Sequence, residues 1–177
     1  MVYLLLMDGF EEIEAIATLD ILRRGGVQVQ TAGIDGTKQT GAHGVAVEAD
    51  ISIDDADKDA MEMLILPGGG GHVNLDNSPK VHALIDCALE KGIYIAAICA
   101  SPSILGKKGI LKGHTATCYP GFEQYLEGAE LSDKKAVVSG NIITANGPGS
   151  AVEFGYELLK ILKGKDTADD ILRAMQY

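Results

Sequence analysis

Ile95-Ala96-Ala97-Ile98-Cys99-Ala100-Ser101-Pro102 closes an apolar, β-prone run that starts at Gly92, and the run stops at a cysteine. Ser103-Ile104-Leu105-Gly106 follows and reads as a short helix, with Pro102 in its first turn, where a missing N–H costs nothing. Strand, nucleophilic turn, helix is the layout that presents a side chain at the carboxyl end of a parallel strand. Two readings of Cys99 carry equal weight at this point. Beside the positive end of a helix dipole its pKa would fall and the thiolate would be favoured. Alternatively it is a small buried hydrophobe finishing a core strand, because unpaired Cys is among the most buried residue types.

Outward from this elbow the chain alternates strands with helices. Val2–Met7 reads as a first buried strand, and Asp8-Gly9-Phe10 turns it into a helix over about Glu11–Arg24. Ile13, Ile16, Ala17, Leu19, Ile21 and Leu22 recur there at helical spacing, acids occupy the first turn, Arg23 and Arg24 the last, and Gly25-Gly26 stops it. Val27–Ala32 alternates as a second strand. Val45–Asp50 reads as a short strand or hairpin at an edge or outside the main sheet, and Asp50–Ala60 as a loop with room for a short helix. Met61–Leu66 is a buried strand ending in Pro67-Gly68-Gly69-Gly70-Gly71; a helix then runs from Asn77-Ser78-Pro79 to about Lys91. Beyond the elbow come a short strand over His114–Cys118, a helical turn near Phe122–Leu126 and a hairpin of Ala136–Val138 with Ile142–Ala145. Helices over Ala151–Lys163 and Ala168–Met175 finish the chain. Continuous apolar strands alternating with helices predict a mostly parallel sheet covered on both faces, in one domain spanning residues 1–177.

Composition narrows the function classes. A length of 177 residues with 46% hydrophobic content supports a full core. A net charge of −10 argues against nucleic acid or an anionic membrane as partner. The apolar N-terminus lacks a basic flank and stops at Asp8, so it reads as neither signal peptide nor membrane span. Cys87, Cys99 and Cys118 form neither a disulfide framework nor a zinc-type spacing, which fits a reducing cytoplasm.

In open α/β sheets ligands sit beyond the carboxyl ends of the strands. Asp8–Glu14, Pro67–Gly71, Cys99–Pro102 and Asn146–Gly149 all fall there. The glycine loop lacks the spacing of a dinucleotide fingerprint and the lysine of a phosphate loop. It is either a tight turn or an oxyanion hole, in which the amide of Gly68 or Gly69 works with that of Ala100. Glu14 lies in the more apolar part of its turn, beside Ile13, Ala15 and Ile16. It is either one of three solvated carboxylates or a buried acid with a raised pKa that hydrogen-bonds a thiolate. His43, His72, His82 and His114 do not adjoin Cys99 in sequence and read as non-catalytic; Cys87 and Cys118 read as core or edge.

These motifs together resemble the ThiJ/PfpI superfamily, in the branch of the parkinsonism-associated protein DJ-one and its bacterial relatives. The resemblance rests on Asp8–Glu14 with Asp20–Gly25, Leu66–Gly69, Ala96–Ala100 with Pro102, and Gly147-Pro148-Gly149 with Glu153-Phe154, in that order. It implies a three-layer, flavodoxin-like (class I glutamine amidotransferase-like) sandwich, a homodimer, and no metal or cofactor. It also implies that Cys99 is the nucleophile, Glu14 its acid/base partner, and Gly69 and Ala100 the oxyanion donors, with Tyr119, Pro148 and His43 as candidate substrate contacts. His43 stands where relatives often carry an arginine, and Tyr119 where some place an active-site histidine. Ala100 replaces the histidine that peptidase and amidotransferase relatives supply near the cysteine, which lowers those readings. The implied activity is a cofactor-independent glyoxalase III or deglycase acting on a small reactive carbonyl such as methylglyoxal. The alternative is a redox-sensing stress protein or chaperone using the same cysteine; a thiazole-phosphate synthesis role or a peptidase ranks last.

Overall fold

The computed structural model describes residues 1–177. In chain order it contains β1 (Val2–Leu6), α1 (Glu12–Arg24), β2 (Val29–Gly33), β3 (Lys38–Thr40), β4 (Ala46–Glu48), β5 (Ile51–Ser52), β6 (Met63–Leu66), α2 (His72–Asn77), α3 (Pro79–Glu90), β7 (Tyr94–Ile98) and α4 (Pro102–Lys107). β8 (Thr115–Ala116), β9 (Glu130–Leu131), β10 (Ala136–Ser139), β11 (Ile142–Ala145), α5 (Ala151–Lys163) and α6 (Lys165–Ala174) follow. The main sheet has seven strands in the order β10-β11-β7-β6-β1-β2-β5. All its pairings are parallel except β10 with β11. β1 and β6 are buried throughout, as strands covered on both faces must be, and this is why they read as unbroken apolar runs.

β1 leads to β2 on one side while β6 leads to β7 on the other. Right-handed crossovers of opposite direction place α1 and α3 on opposite faces of the sheet. α5 shares a face with α1, and the two approach closely because small residues meet large ones. A Cβ on Gly155 would lie 2.8 Å from Ile21 Cδ1, and one on Gly25 would lie 2.2 Å from Leu159 Cδ1.

The mostly parallel sandwich agrees with the sequence reading, and Ala46–Glu48 lies outside the main sheet, as expected for Val45–Asp50, paired with a strand over Lys38–Thr40 that was not foreseen. Other details differ, among them a two-residue strand over Glu130–Leu131 that was not foreseen. Ile51–Ser52 is a strand at the sheet edge, where a loop was expected, because pairing with Ala32–Gly33 recruits it. α2 was not foreseen, since its residues carry no apolar stripe. The last helix begins at Lys165, directly after Gly164, and not at Ala168. The reversal of strand order between β1 and β6 opens a crevice at their carboxyl ends. The loops after β1, β6, β7 and β11 line up along it.

Candidate active site

Cys99 directly follows β7 with a φ of +66°, a left-handed conformation that costs a residue with a Cβ roughly 1–2 kcal/mol. Its neighbours hold it there. Its N–H donates to Ala145 O at 2.9 Å, its carbonyl accepts the Tyr119 N–H at 2.8 Å, and Ser101 Oγ donates to Pro67 O at 2.6 Å. Strain held in this way is characteristic of functional turns.

Glu14 reaches the elbow from the first turn of α1. Glu11 caps that helix, its Oε2 accepting the Glu14 N–H at 2.8 Å, and Glu14 itself is 1% exposed. The Gly68 N–H donates to Glu14 Oε2 at 2.8 Å, while Oε1 is buried without a partner. Burial, helped by the nearby Glu11 carboxylate, pushes the Glu14 carboxyl up to about 7, against the opposing pull of the Cys99 thiol and the Gly68 N–H. The Cys99 thiol lies within reach of this carboxyl, but Oε1 has no fully formed hydrogen bond.

The pKa of Cys99 runs opposite to the dipole expectation. Burial first, then the Glu14 charge, pushes the thiol up to about 12, against the N–H groups of Gly69 and Ala100. α4 has only six residues, too short a dipole to offset burial beside a carboxylate. The pair therefore shares its ionisation: one negative charge resides on Cys99 and Glu14 together above about pH 7.

The glycine loop divides its amides between the two groups. Gly68 spends its N–H on Glu14, so of the two candidates for the oxyanion hole Gly69 remains. The Gly68 carbonyl accepts the Glu11 N–H at 3.0 Å. Across a trans peptide this turns the Gly69 N–H the other way, away from α1, and it lies near enough to Cys99 to oppose the rise of the thiol pKa. Only glycine fits at 68, where a Cβ would lie 2.5 Å from Cys99 Cβ and 2.7 Å from Glu14 Oε2.

Tyr119 is 45% exposed, and its ring passes 3.1 Å from the place of a Cβ on Gly147. Tyr119, Gly147 and Pro148 thus form one rim of the site. His43 stands apart from the cysteine. Its ring and N–H bind Glu12 at 2.8 and 2.7 Å, and its pKa is raised by that partner. Burial would raise Glu12, but these hydrogen bonds outweigh it and hold its carboxyl at about 2. Glu11, Glu12 and His43 lie close enough to share a cation, yet Glu11 Oε2 and both Glu12 oxygens already accept N–H groups. Cys118 is buried and pushed up to about 11, by burial and then by Glu123, which makes it a poor nucleophile. Sequence reasoning missed the buried capping role of Glu11, because Glu is not among the residues that usually cap a helix N-terminus. It also missed His72, which reaches the Gly69 carbonyl.

A model of the DJ-1/PfpI family matches residues 1–161. Protein dj-1beta of Drosophila melanogaster is 34% identical over 175 residues, covering 97% of this chain and 94% of the relative. The glutathione-independent glyoxalase DJR-1.2 of Caenorhabditis elegans is 32% identical over 166 residues, 93% of this chain and 89% of the relative. A deglycase of Thermococcus kodakarensis is 34% identical over 164 residues, 92% and 99%. Among solved structures, oxidized Toxoplasma gondii DJ-1 superposes with a TM-score of 0.94 at 32% identity, covering 99% of this chain and 97% of the other.

Proposed function

We propose that this chain, which belongs to the DJ-1/PfpI family, is a cofactor-independent glyoxalase or deglycase that converts methylglyoxal or glyoxal to the hydroxy acid. One observation carries the reading. A buried carboxyl pushed up to about 7, with one oxygen unpartnered, lies beside a strained cysteine that has the Gly69 and Ala100 amides nearby. The glyoxalase and deglycase names of two relatives support it.

In this reading Glu14 accepts the Cys99 proton, so the pair keeps one negative charge while it moves to sulfur. The thiolate adds to the aldehyde carbon, and the N–H groups of Gly69 and Ala100 stabilise the oxyanion. Protonation of that oxygen gives a hemithioacetal. Glu14, deprotonated again, removes the proton from the former aldehyde carbon and returns it to the neighbouring carbon through an enediol. The product is a thioester of the hydroxy acid, and water hydrolyses it to release the acid and the thiol. Each of these steps balances without a metal or an external oxidant. Tyr119 and Pro148 contact the substrate at the rim.

The test is conversion of methylglyoxal to lactate without glutathione by wild type, Cys99→Ser and Glu14→Gln. An inactive wild type, or an active Cys99→Ser, sinks the proposal. We also propose a homodimer, because Ile13 and Val45 are 55% and 52% exposed close to the Glu12–His43 contact; a one-chain mass in sedimentation would refute it. A second reading, oxidation of the same sulfur as a stress signal, is favoured by the oxidized state of a close structural neighbour and by the unpartnered Glu14 Oε1, which when protonated can donate to a sulfinate. Intact-mass analysis after mild peroxide tests it, and failure to add two oxygens at Cys99 counts against it.

A further inference from the structure

We propose that His72 is a positioning residue that holds the Gly69 peptide in place beside Cys99; the inference rests on the proposed role of Gly69 as an oxyanion donor. The problem it solves is visible in the sequence. Gly68-Gly69-Gly70-Gly71 is a run with the greatest backbone freedom a chain can have, and Gly69 sits at φ +91°. Local preference therefore does not set the direction of the Gly69 amide. Both flanking peptides have to be pinned from outside.

The peptide before Gly69 is pinned by α1, through the Glu11 N–H on the Gly68 carbonyl at 3.0 Å. The peptide after it is pinned by His72. The Gly69 carbonyl accepts the His72 backbone N–H at 3.1 Å and meets His72 Nδ1 at 2.9 Å. A carbonyl can only accept, so Nδ1 carries the proton. The ring is held in turn by Phe122, edge to face, with centroids 5.2 Å apart and planes at 85°. The Phe122 N–H donates to the Tyr119 carbonyl at 3.1 Å, and the Tyr119 N–H holds the Cys99 carbonyl at 2.8 Å. One imidazole thus ties the loop that supplies the Gly69 amide to the loop that anchors the nucleophile. Without the Nδ1 donor, one backbone contact at 3.1 Å remains on the Gly69 carbonyl, and the Glu11 bond on the preceding peptide has to hold the Gly69 amide with only that support.

The substitutions separate this from packing. His72→Phe keeps the ring against Phe122 and removes the donor. His72→Asn places an N–H donor two bonds from Cβ, where Nδ1 stands. His72→Gln places one at the Nε2 distance and serves in place of His72→Phe should that variant not fold. The readout is the rate of Cys99 alkylation by iodoacetamide, followed on the Cys99 peptide by mass spectrometry, together with kcat and KM for methylglyoxal. His72→Phe should lower the rate of Cys99 alkylation at pH 9 about tenfold and lower kcat about tenfold, a fraction of the ~100-fold that loss of a whole oxyanion donor costs, with KM little changed. His72→Asn should recover most of both, and His72→Gln neither. A wild-type alkylation rate in His72→Phe, or equal losses in the Phe and Asn variants, overturns the proposal. If the wild type turns over no methylglyoxal but the alkylation rate still falls in His72→Phe and Asn restores it, the glyoxalase reading fails while the role of His72 stands.

Discussion

Replacing Glu14 by Gln should stabilise the protein while disabling it, and the stabilisation should appear only at higher pH. In the fold Glu14 binds its proton up to about pH 7, whereas its ordinary value is 4.5. Between those values the folded chain holds a proton that the unfolded chain has released. Folding stability contributed by this group is therefore intact below pH 4.5 and declines as pH rises through the window. At about 1.4 kcal/mol per pH unit the full loss is about 3 kcal/mol by pH 8, a large share of the ~5–15 kcal/mol that holds a domain folded. Gln keeps a carbonyl oxygen for the Gly68 N–H but cannot ionise. Urea unfolding from pH 4.5 to 8.5 should show variant and wild type nearly equal at the acid end. At the alkaline end the variant midpoint should lie roughly 1.5 M higher, taking a slope of ~2 kcal/mol/M. Methylglyoxal turnover should fall at least ~100-fold, as expected for loss of a positioned acid/base. A stability difference independent of pH, or a Gln variant that loses ground as pH rises, would refute the buried-carboxyl account.

Cys99→Ala removes a group that draws the Glu14 pKa down, so the carboxyl midpoint, followed by its infrared C=O stretch, should rise above about 7; an unchanged or lower midpoint contradicts the pairing. Gly68→Ala drives a Cβ to 2.5 Å from Cys99 Cβ and 2.7 Å from Glu14 Oε2. It should cost about 1–3 kcal/mol by overpacking and abolish Cys99-dependent turnover in the fraction that stays folded. Retained activity there would show that the two side chains do not need this spacing.

The strands that carry the site were legible because burial on both faces leaves a simple signature: Met63-Leu64-Ile65-Leu66 and Ile95-Ala96-Ala97-Ile98 have no polar position to mislead. The chemistry at their ends was legible in outline, since Glu14, the glycine loop and Cys99 fall at three neighbouring strand ends. What escaped depends on contacts between distant residues. Gly68 and Gly69 are chemically identical in sequence, and only the Gly68 N–H on Glu14 and the Glu11 N–H on the Gly68 carbonyl tell them apart. The Cys99 thiol was expected to be acidified by α4, but a six-residue helix competes with burial and a carboxylate that local sequence does not reveal. Ile51–Ser52 became a strand through its partner β2, and two residues carry no period of their own.

Ala100 in place of a histidine bears on how the site moves protons. Each of the four imidazoles is engaged elsewhere: His43 with Glu12, His72 with the Gly69 carbonyl, His82 with the Asp76 carbonyl and His114 with Ser139. Glu14 is then the one group beside Cys99 that titrates near neutrality. In the proposed reaction it serves as base for the thiol, acid for the oxyanion and shuttle between the two carbons. The competent state is the singly ionised pair, which forms as pH rises through about 7 and persists toward about 12. Turnover at saturating methylglyoxal should therefore climb through pH 7 and hold a plateau on the alkaline side, measured as lactate formed up to about pH 9.5. A bell with an alkaline limb just above neutrality would require a second titrating group with a pKa in that range, an acid or base that the geometry around Cys99 does not contain.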